Sequence, residues 1–406
     1  MSGLIENMFR HVALPAAKRA VGLAMRLVPV PQPTLLVGPG SSVRLAQTIG
    51  SFAHRKLFIV SDPTLVATGL LQPVLDALHA AGAPCAVFDA VTADAPIHCI
   101  EQGVAQFRAQ GCDAVLAFGG GSVIDTAKVI ALAATNGRHP RHMAGYFRAR
   151  HAPAPLYAVP TSAGTGSEAT AAAVISDPQA RRKLVIVDTR IVPRLAALDP
   201  CLMTGLPRDI TAATGMDALT HAIEAYIGHW STAFTERMAL SAVALIWRNL
   251  PIVCTNGADL AAREQMALAA NQAGLAFTRA SVGNVHAIAH QLGARYHTPH
   301  GLANAVLLPH VLRFESPAVT DKLATLASSV NLGEPGDSLA ELARKFIDAI
   351  DALNRWLGIP QHLNALREQD IPGLALAARR EADFNYPVPR VMSEQDCEGL
   401  LRHVLA

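Results

Sequence analysis

Aromatic residues make up only 5% of the 406-residue chain and charged residues only 16%. So little charge suits a compact body with a large buried fraction. Lys and Arg number 34 against 32 Asp and Glu, a formal net charge of +2. That near-balance offers no basic footprint for a phosphate backbone, so no nucleic-acid partner is expected. The six cysteines, Cys85, Cys99, Cys112, Cys201, Cys254 and Cys397, are scattered and form no CxxC. They read as reduced, mostly buried thiols of a cytoplasmic protein. No apolar run reaches the roughly 18 residues of a membrane span, and the longest candidate, Ala239 to Trp247, has about half that. GxxxxGK[ST] is missing too, which sets ATP aside, and so is GxGxxG.

What is present is apolar residue, 51% of the chain, in a length that suits two domains. Low charge with high apolar content implies a large buried fraction and a homodimer or larger homo-oligomer. The first 33 residues set Arg10, Lys18, Arg19 and Arg26 among Leu4, Phe9, Val12, Leu14, Val21, Leu23 and Leu27. A transit peptide would be richer in serine and free of acid. This stretch has Ser2 alone and carries Glu6 and Pro15, and it reads as a helical arm over residues 1–33.

From Thr34 the pattern alternates. Short apolar runs at Thr34–Val37, Lys56–Val60, Cys85–Phe88, Asp113–Phe118, Leu156–Val159 and Leu195–Leu198 read as strands. Helical patterns at Ser42–Ala53, from Asp62–Pro63 to about Ala81, at Pro96–Gln110 and at Val123–Ala134 separate them. The alternation predicts a parallel sheet covered on both faces. Ala171–Ile175 and Lys183–Val187, around a polar turn, predict a hairpin. From Pro207 onward strand patterns stop and Ala- and Leu-rich helical patterns run to the end. The expected organisation is therefore an α/β domain over 34–205, Rossmann-like, followed by an all-helical domain over 206–406.

Two loops follow strands in the α/β part. In FGGGSVIDTAK, Gly119 to Gly121 let the backbone approach a phosphate, Ser122 adds a hydroxyl, and the helix start offers free N–H groups. PTSAGTGSE supplies Thr161, Ser162 and Thr165 as donors to a pyrophosphate or nicotinamide. Asp62 ends its own strand. In the usual fingerprint the ribose-binding acid lies about 20 residues after the glycines, whereas Asp62 precedes them. A carboxylate there would accept from a ribose 2′-OH and repel a 2′-phosphate, which favours NAD over NADP. The competing role for Asp62 is a helix N-cap.

The helical part holds the histidines. Gly283 to Pro309 contains His286, His290, His297 and His300, and Gly215 to Glu224 contains Asp217 and His221. His286 and His290 are four apart, as are Asp217 and His221, so each pair shares a helix face. Two pairs on two helices can close round one divalent metal. Pro299 and Gly301 bracket His300 and put it at a turn or helix start. Spacing alone does not choose between His286 and His290 as a ligand.

From about Pro33 to the C-terminus the chain resembles the iron-containing (group III) alcohol dehydrogenases. The likeness rests on GGGSVIDTAK, PTSAGTGSE, LDPCLMTGLP, GMDALTHAIEAY and the Gly283 to Pro309 stretch. It implies an α/β nucleotide domain and an all-α domain with the site in the cleft between them. It implies Asp217, His221, His286 and His300 as metal ligands, for Fe²⁺ first and Zn²⁺ second. It leaves His290 beside the nicotinamide, within reach of proton transfer, and Phe277 lining the substrate pocket. Asp62, Gly120, Gly121, Ser122, Thr161, Ser162, Thr165, Lys183 and Leu202 match NAD contacts. The implied reaction is reversible hydride transfer between NAD and a small primary alcohol or diol, with no membrane partner.

Two stretches depart from the family pattern. Ala95 stands where many members carry an asparagine, and Arg138 to Pro155, rich in Arg and His, matches no motif. Rival readings are a hydroxyacid–oxoacid transhydrogenase with bound nicotinamide and a dehydroquinate-synthase-like lyase. The lyase would need more Lys and Arg near the metal helices. A metallohydrolase would leave both glycine- and hydroxyl-rich loops unexplained, and a non-catalytic metal scaffold would show no turnover with any alcohol.

Overall fold

The computed structural model describes residues 14–180 and 182–406. The chain forms two compact units. The first holds the described residues up to Pro29, then Arg208–Cys254 and Leu275–Ala406; the second holds Val30–Pro207 and Thr255–Gly274. The division is thus not a single cut, because residues 255–274 cluster with the sheet. Asn271 Nδ2 donates to the buried Glu168 carboxylate at 2.9 Å, which ties that segment to the loop after a central strand.

Helix α1 (Leu14–Leu27) opens the described chain and packs within the first unit. Its Lys18 Nζ donates to the carbonyls of Ala382 at 2.8 Å and Tyr386 at 2.6 Å. Trp230 Nε1 donates to the Lys18 carbonyl at 2.9 Å. Leu4, Phe9, Val12 and the rest of residues 1–13 of the expected arm lie outside the described residues.

The second unit runs β1 (Thr34–Val37), α2 (Ser41–Gly50), β2 (Leu57–Val60), α3 (Pro63–Ala67), α4 (Gln72–Ala80), β3 (Cys85–Phe88), α5 (Ile97–Ala109), β4 (Ala114–Gly119) and α6 (Gly121–Asn136). It continues through β5 (Gly145–Tyr146), β6 (Leu156–Pro160), β7 (Ala172–Asp177), β8 (Arg182–Val187) and β9 (Leu195–Leu198). The main sheet has the order β1-β9-β6-β4-β2-β3, and every pairing is parallel. The central strands β2, β4 and β6 are buried along their whole length, as strands covered on both faces must be. Side chains alternate between two cores. Phe58, Val60, Val115, Ala117 and Ala158 enter one; Leu57, Ile59, Leu116, Phe118, Tyr157 and Val159 enter the other.

One expectation is revised, the hairpin is present as expected, and one strand is new. The single helix expected after Asp62 is two, α3 and α4, because Gly69 turns the chain in a left-handed conformation, φ +75°. The hairpin is β7–β8, antiparallel from Ala172–Val187 to Asp177–Arg182. A strand that sequence did not suggest, β5, pairs in parallel with β8 and lies in the Arg- and His-rich stretch.

The first unit continues with α7 (Arg208–Ile227) and α8 (Ala233–Thr255), and α9 (Leu260–Ala280) belongs to it from Leu275. Then come α10 (Asn284–Tyr296), α11 (His300–Ser329), α12 (Leu339–Leu357), α13 (Ile371–Asn385) and α14 (Glu394–His403). Helix α7 is buried almost all round from Gly215 to Ile227, so it is the core of this unit. Helix α8 is long and apolar enough to cross a membrane by length and composition alone. It carries Arg237 and Arg248, and it buries Ala239, Ala242, Val243, Ile246 and Leu250 within the protein.

Candidate active site

In the sheet unit the parallel register sets Val60 beside Ala117 and Gly119 beside Pro160. The residues after these strands therefore leave one sheet edge, the edge where α/β sheets bind ligands. Asp62 caps α3 there. Its Oδ1 accepts from Thr64 N at 2.9 Å and Leu65 N at 3.0 Å. The capping role and a ribose role are compatible, since one oxygen does the capping.

Helix α6 starts at Gly121 with Gly120 as its N-cap and no side-chain cap. An uncapped helix start leaves backbone donors for an anion. Thr165 explains why residue 121 is glycine: a Cβ there would meet Thr165 Cγ2 at 2.5 Å. The glycine loop and the hydroxyl loop are thus in contact. Ser122 Oγ accepts from Asp94 N at 3.2 Å, and Asp94 holds Lys183 in an ion pair. Thr161 is buried, with its N–H on the Gly119 carbonyl at 3.1 Å. Leu202 sits half-buried on a 3₁₀ turn, Pro200–Met203, whose cap Asp199 also accepts from Ser42 Oγ at 2.6 Å.

Behind the hydroxyl loop lies a buried cation. Lys128 Nζ donates to Ala172 O at 2.7 Å, Thr170 Oγ1 at 2.8 Å and Ser167 Oγ at 3.2 Å. Asp125 accepts the Ser167 hydroxyl and Val174 N, the latter at 2.9 Å. Burial pulls the Lys128 ammonium down to about 8, against the opposing charges of Asp125 and Glu168. Burial pushes both carboxyls up.

In the helical unit, α7 contributes Asp217 and His221, α10 contributes His286, and α11 begins at His300. One ligand atom from each of these four residues lies within 4.8 Å of the others. Three helices take part, where paired spacing suggested two. Gly301 allows the third to arrive: a Cβ there would meet the Ala213 carbonyl at 2.4 Å, so only glycine lets α11 start against α7. His300 Nε2 lies 3.5 Å and His286 Nε2 3.9 Å from Asp217 Oδ1. The Phe277 ring stacks on His221, centroids 4.2 Å apart at 15°.

Glu224, one turn beyond His221 on α7, fixes the tautomer of His286. It takes His286 Nδ1 at 2.5 Å, along with Val285 N at 2.7 Å and Gly283 N at 2.8 Å. Nδ1 donates to the carboxylate, so Nε2 presents a lone pair to Asp217. Burial holds the His286 imidazole well below its usual pKa, helped by His221, His300 and His290. It is neutral, as a metal ligand must be. Asn304 lies among the same atoms, its Nδ2 at 2.7 Å from Asp217 Oδ1, 3.1 Å from His286 Nε2 and 3.2 Å from His300 Nε2. Two amide hydrogens face three acceptors, so the donor set converges on a positive centre and is not fully satisfied without one. The residues present fit a divalent metal.

His290 stands beside this group and does not share its ligand atoms. Its ring stacks on His300 with centroids 5.4 Å apart, and its Nδ1 is held by Glu381 at 2.6 Å. His297 is exposed and ends α10 in a left-handed conformation. Sequence reasoning missed Glu224, Asn304 and Glu381. The first two carried a signal, a polar residue three or four positions after a candidate ligand on the same helix. Glu381 is 91 residues from His290 and carried none.

The chain matches two family models, iron-containing alcohol dehydrogenase over residues 32–200 and the C-terminal region of the Fe-containing alcohol dehydrogenase family over 211–405. It is 39% identical over 349 residues to the lactaldehyde reductase of Escherichia coli (strain K12), covering 85% of this chain and 91% of that protein. It is 37% identical over 375 residues to the NAD-dependent methanol dehydrogenase of Bacillus methanolicus, covering 92% and 98%. A crystal structure of a 1,3-propanediol oxidoreductase superposes with a TM-score of 0.89 at 38% identity, covering 93% of this chain and 100% of that one. The chain belongs to the iron-containing alcohol dehydrogenase family. It is accordingly an oxidoreductase of the alcohol dehydrogenase type. Its α/β nucleotide unit and helical unit are those of the family's fold, and α1 precedes the first residue that the family models match.

Proposed function

We propose that this alcohol dehydrogenase transfers hydride reversibly between NAD and a small primary alcohol or diol, at a metal held by Asp217, His221, His286 and His300. The observation that carries the reading is the convergence of those four donors within 4.8 Å in a chain of this family. One carboxylate and three imidazoles suit Fe²⁺, and Zn²⁺ next. A bound metal supplies Lewis acidity to the alcohol oxygen, and NAD supplies the hydride acceptor.

The chain's own residues do the rest. Glu224 keeps the His286 lone pair turned to Asp217. Asn304 Nδ2 donates to Asp217 Oδ1 and lies within 3.2 Å of His286 Nε2 and His300 Nε2, beside the point where the donors meet. Phe277 walls the His221 side with an aromatic face, which favours a short carbon chain. His290 takes the hydroxyl proton of the alcohol in the oxidation direction. The Gly120–Ser122 and Thr161–Thr165 loops take the pyrophosphate and nicotinamide end, with Lys183 and Leu202 at their margins. The Asp62 carboxylate disfavours a 2′-phosphate and so favours NAD. Relatives that act on methanol, lactaldehyde and 1,3-propanediol support a small substrate. A homo-oligomer in the cytoplasm belongs to the same proposal, and the mass in solution by light scattering tests the oligomer.

The test is NADH absorbance with purified, Fe²⁺-reconstituted protein across short alcohols and diols, repeated with Zn²⁺ and with NADP. Turnover with NAD, lost on chelation and weak with NADP, is expected. No absorbance change with any pair would overturn the reading.

A further inference from the structure

The Glu381 carboxylate, on α13, gathers three side-chain donors from two other places in the helical unit. His290 Nδ1 on α10 lies 2.6 Å from Oε1, the Tyr386 hydroxyl 2.6 Å from the same oxygen, and Gln291 Nε2 2.6 Å from Oε2. Tyr386 also approaches His290 Nδ1, at 3.4 Å. All three contacts are met when the carboxylate is ionised and accepts from His290 Nδ1–H, the Tyr386 hydroxyl and the Gln291 amide. Burial would push this carboxyl up, yet His290, Tyr386 and Gln291 outweigh it and hold it below its usual value. The pair is well shielded, with 12% of the His290 side chain and 20% of the Glu381 side chain exposed, so the bond is not screened away as a surface pair would be.

An imidazole has two nitrogens, and a carboxylate on one decides the state of the other. With Nδ1–H given to Glu381, Nε2 of His290 is left with its lone pair. The His290 ring is already fixed against the metal-site histidines, 5.4 Å from the His300 ring and 5.9 Å from the His286 ring between centroids. We propose that Glu381 is the positioning residue of the reaction, holding His290 in the Nδ1–H tautomer so that Nε2 is ready to take the alcohol proton.

This rests on the alcohol dehydrogenase reading above. In the oxidation direction the C–H bond breaks with its electron pair going to NAD⁺, and the O–H proton goes to His290 Nε2. The alcohol becomes an aldehyde, NAD⁺ becomes NADH, and the proton leaves the imidazolium for water. While the imidazole is protonated the Glu381 charge stabilises it across the Nδ1–H bond, the part an orienting carboxylate plays beside any catalytic imidazole. In the reduction direction the same pair delivers the proton. Tyr386 and Gln291 keep the carboxylate in line, and they do not touch Nε2.

Two readouts test the proposal. The first needs no turnover: ¹⁵N spectra of the histidine rings of the Zn²⁺-loaded protein, with the His290→Asn variant to assign the signal. Wild-type His290 is expected as the Nδ1–H tautomer; the Nε2–H tautomer would overturn the proposal. The second is the kinetics of Glu381→Gln and Tyr386→Phe. Glu381→Gln should lower kcat about 10- to 100-fold, with KM for NAD⁺ and alcohol within about twofold and metal content unchanged. Tyr386→Phe removes one of the three donors and leaves the carboxylate–imidazole bond in place, so it should lower kcat less than Glu381→Gln does. A merely structural role would lower thermal stability in both variants and leave kcat per folded, metal-loaded chain intact, and that result would also overturn the proposal. If wild type oxidises no alcohol, the activity reading falls, and the ring spectra still decide the part Glu381 plays.

Discussion

Glu224 accepts the Nδ1–H of His286 at 2.5 Å, and through that bond a residue that touches no substrate decides which nitrogen faces Asp217. The same carboxylate caps α10 through the N–H groups of Gly283 and Val285. Glu224→Gln should therefore weaken metal binding about 10- to 100-fold. Glu224→Ala should also lower the melting temperature, because two buried N–H groups lose their acceptor at about 1–3 kcal/mol each. Metal titration of the two variants, with thermal melts alongside, checks both parts. Unchanged metal affinity in Glu224→Gln would remove Glu224 from the site.

Gly301 sets the spacing of α11 from α7. A methyl group there meets a backbone carbonyl, Ala213 O, at 2.4 Å, and no rotamer change relieves it. Gly301→Ala should push His300 away from Asp217 and lower both metal content and turnover at least about tenfold, since a displacement of about an ångström at a catalytic centre has effects of that size or larger. Gly293→Ala is the control, with its nearest neighbour, Thr298 O, at 3.7 Å. Metal analysis and turnover of the two variants side by side give the answer. Equal behaviour would mean that the close approach is not what places His300.

Glu315 is buried on α11 and holds Asn284 Nδ2 at 2.7 Å. Burial, then the nearby Glu224 charge, pushes its carboxyl up to about 8. Its folded pKa lies above the ordinary carboxyl value, so its stabilising contribution is complete below about 4.5 and is lost as pH rises through about 8. Glu315→Gln cannot ionise. It should be more stable than wild type at pH 9, by something on the order of a few kcal/mol, and the gap should close toward pH 5. Denaturant unfolding at the two pH values measures it. A gap independent of pH would contradict the assignment.

Lys128 is fully buried and donates to Ser167, Thr170 and Ala172. Lys128→Met leaves Asp125 without its counter-charge and should cost about 3–5 kcal/mol. The loss should appear as a lower melting temperature together with weaker NADH binding, since Ser167 N is tied to Thr165 Oγ1 at 3.2 Å and Thr165 rests on Gly121. NADH fluorescence titration separates the two effects. Full affinity in a destabilised variant would confine Lys128 to stability.

The sheet was legible because its strands are short, apolar and bounded by turn residues. Leu57–Val60 and Ala114–Gly119 are buried on both faces and carry no alternation to mislead. Strand β5 was not legible: two residues, Gly145 and Tyr146, hold no period, and they pair only because β8 runs beside them. Helix α7 showed Asp217 and His221 by spacing. Spacing treated His286 and His290 alike, since both lie on one face of α10. Tertiary structure separates them: His286 reaches Asp217 and Glu224, while His290 turns to Glu381 on α13. Such partners depend on which helices meet, and a local pattern does not carry that.

The most direct test of the metal-centred account is metal content and NAD-linked turnover measured on the same preparations of wild type and His286→Ala. About one metal per chain with alcohol oxidation in wild type, and neither in the variant, is the predicted result. A His286→Ala protein that holds no metal yet still oxidises alcohols at the wild-type rate would contradict it.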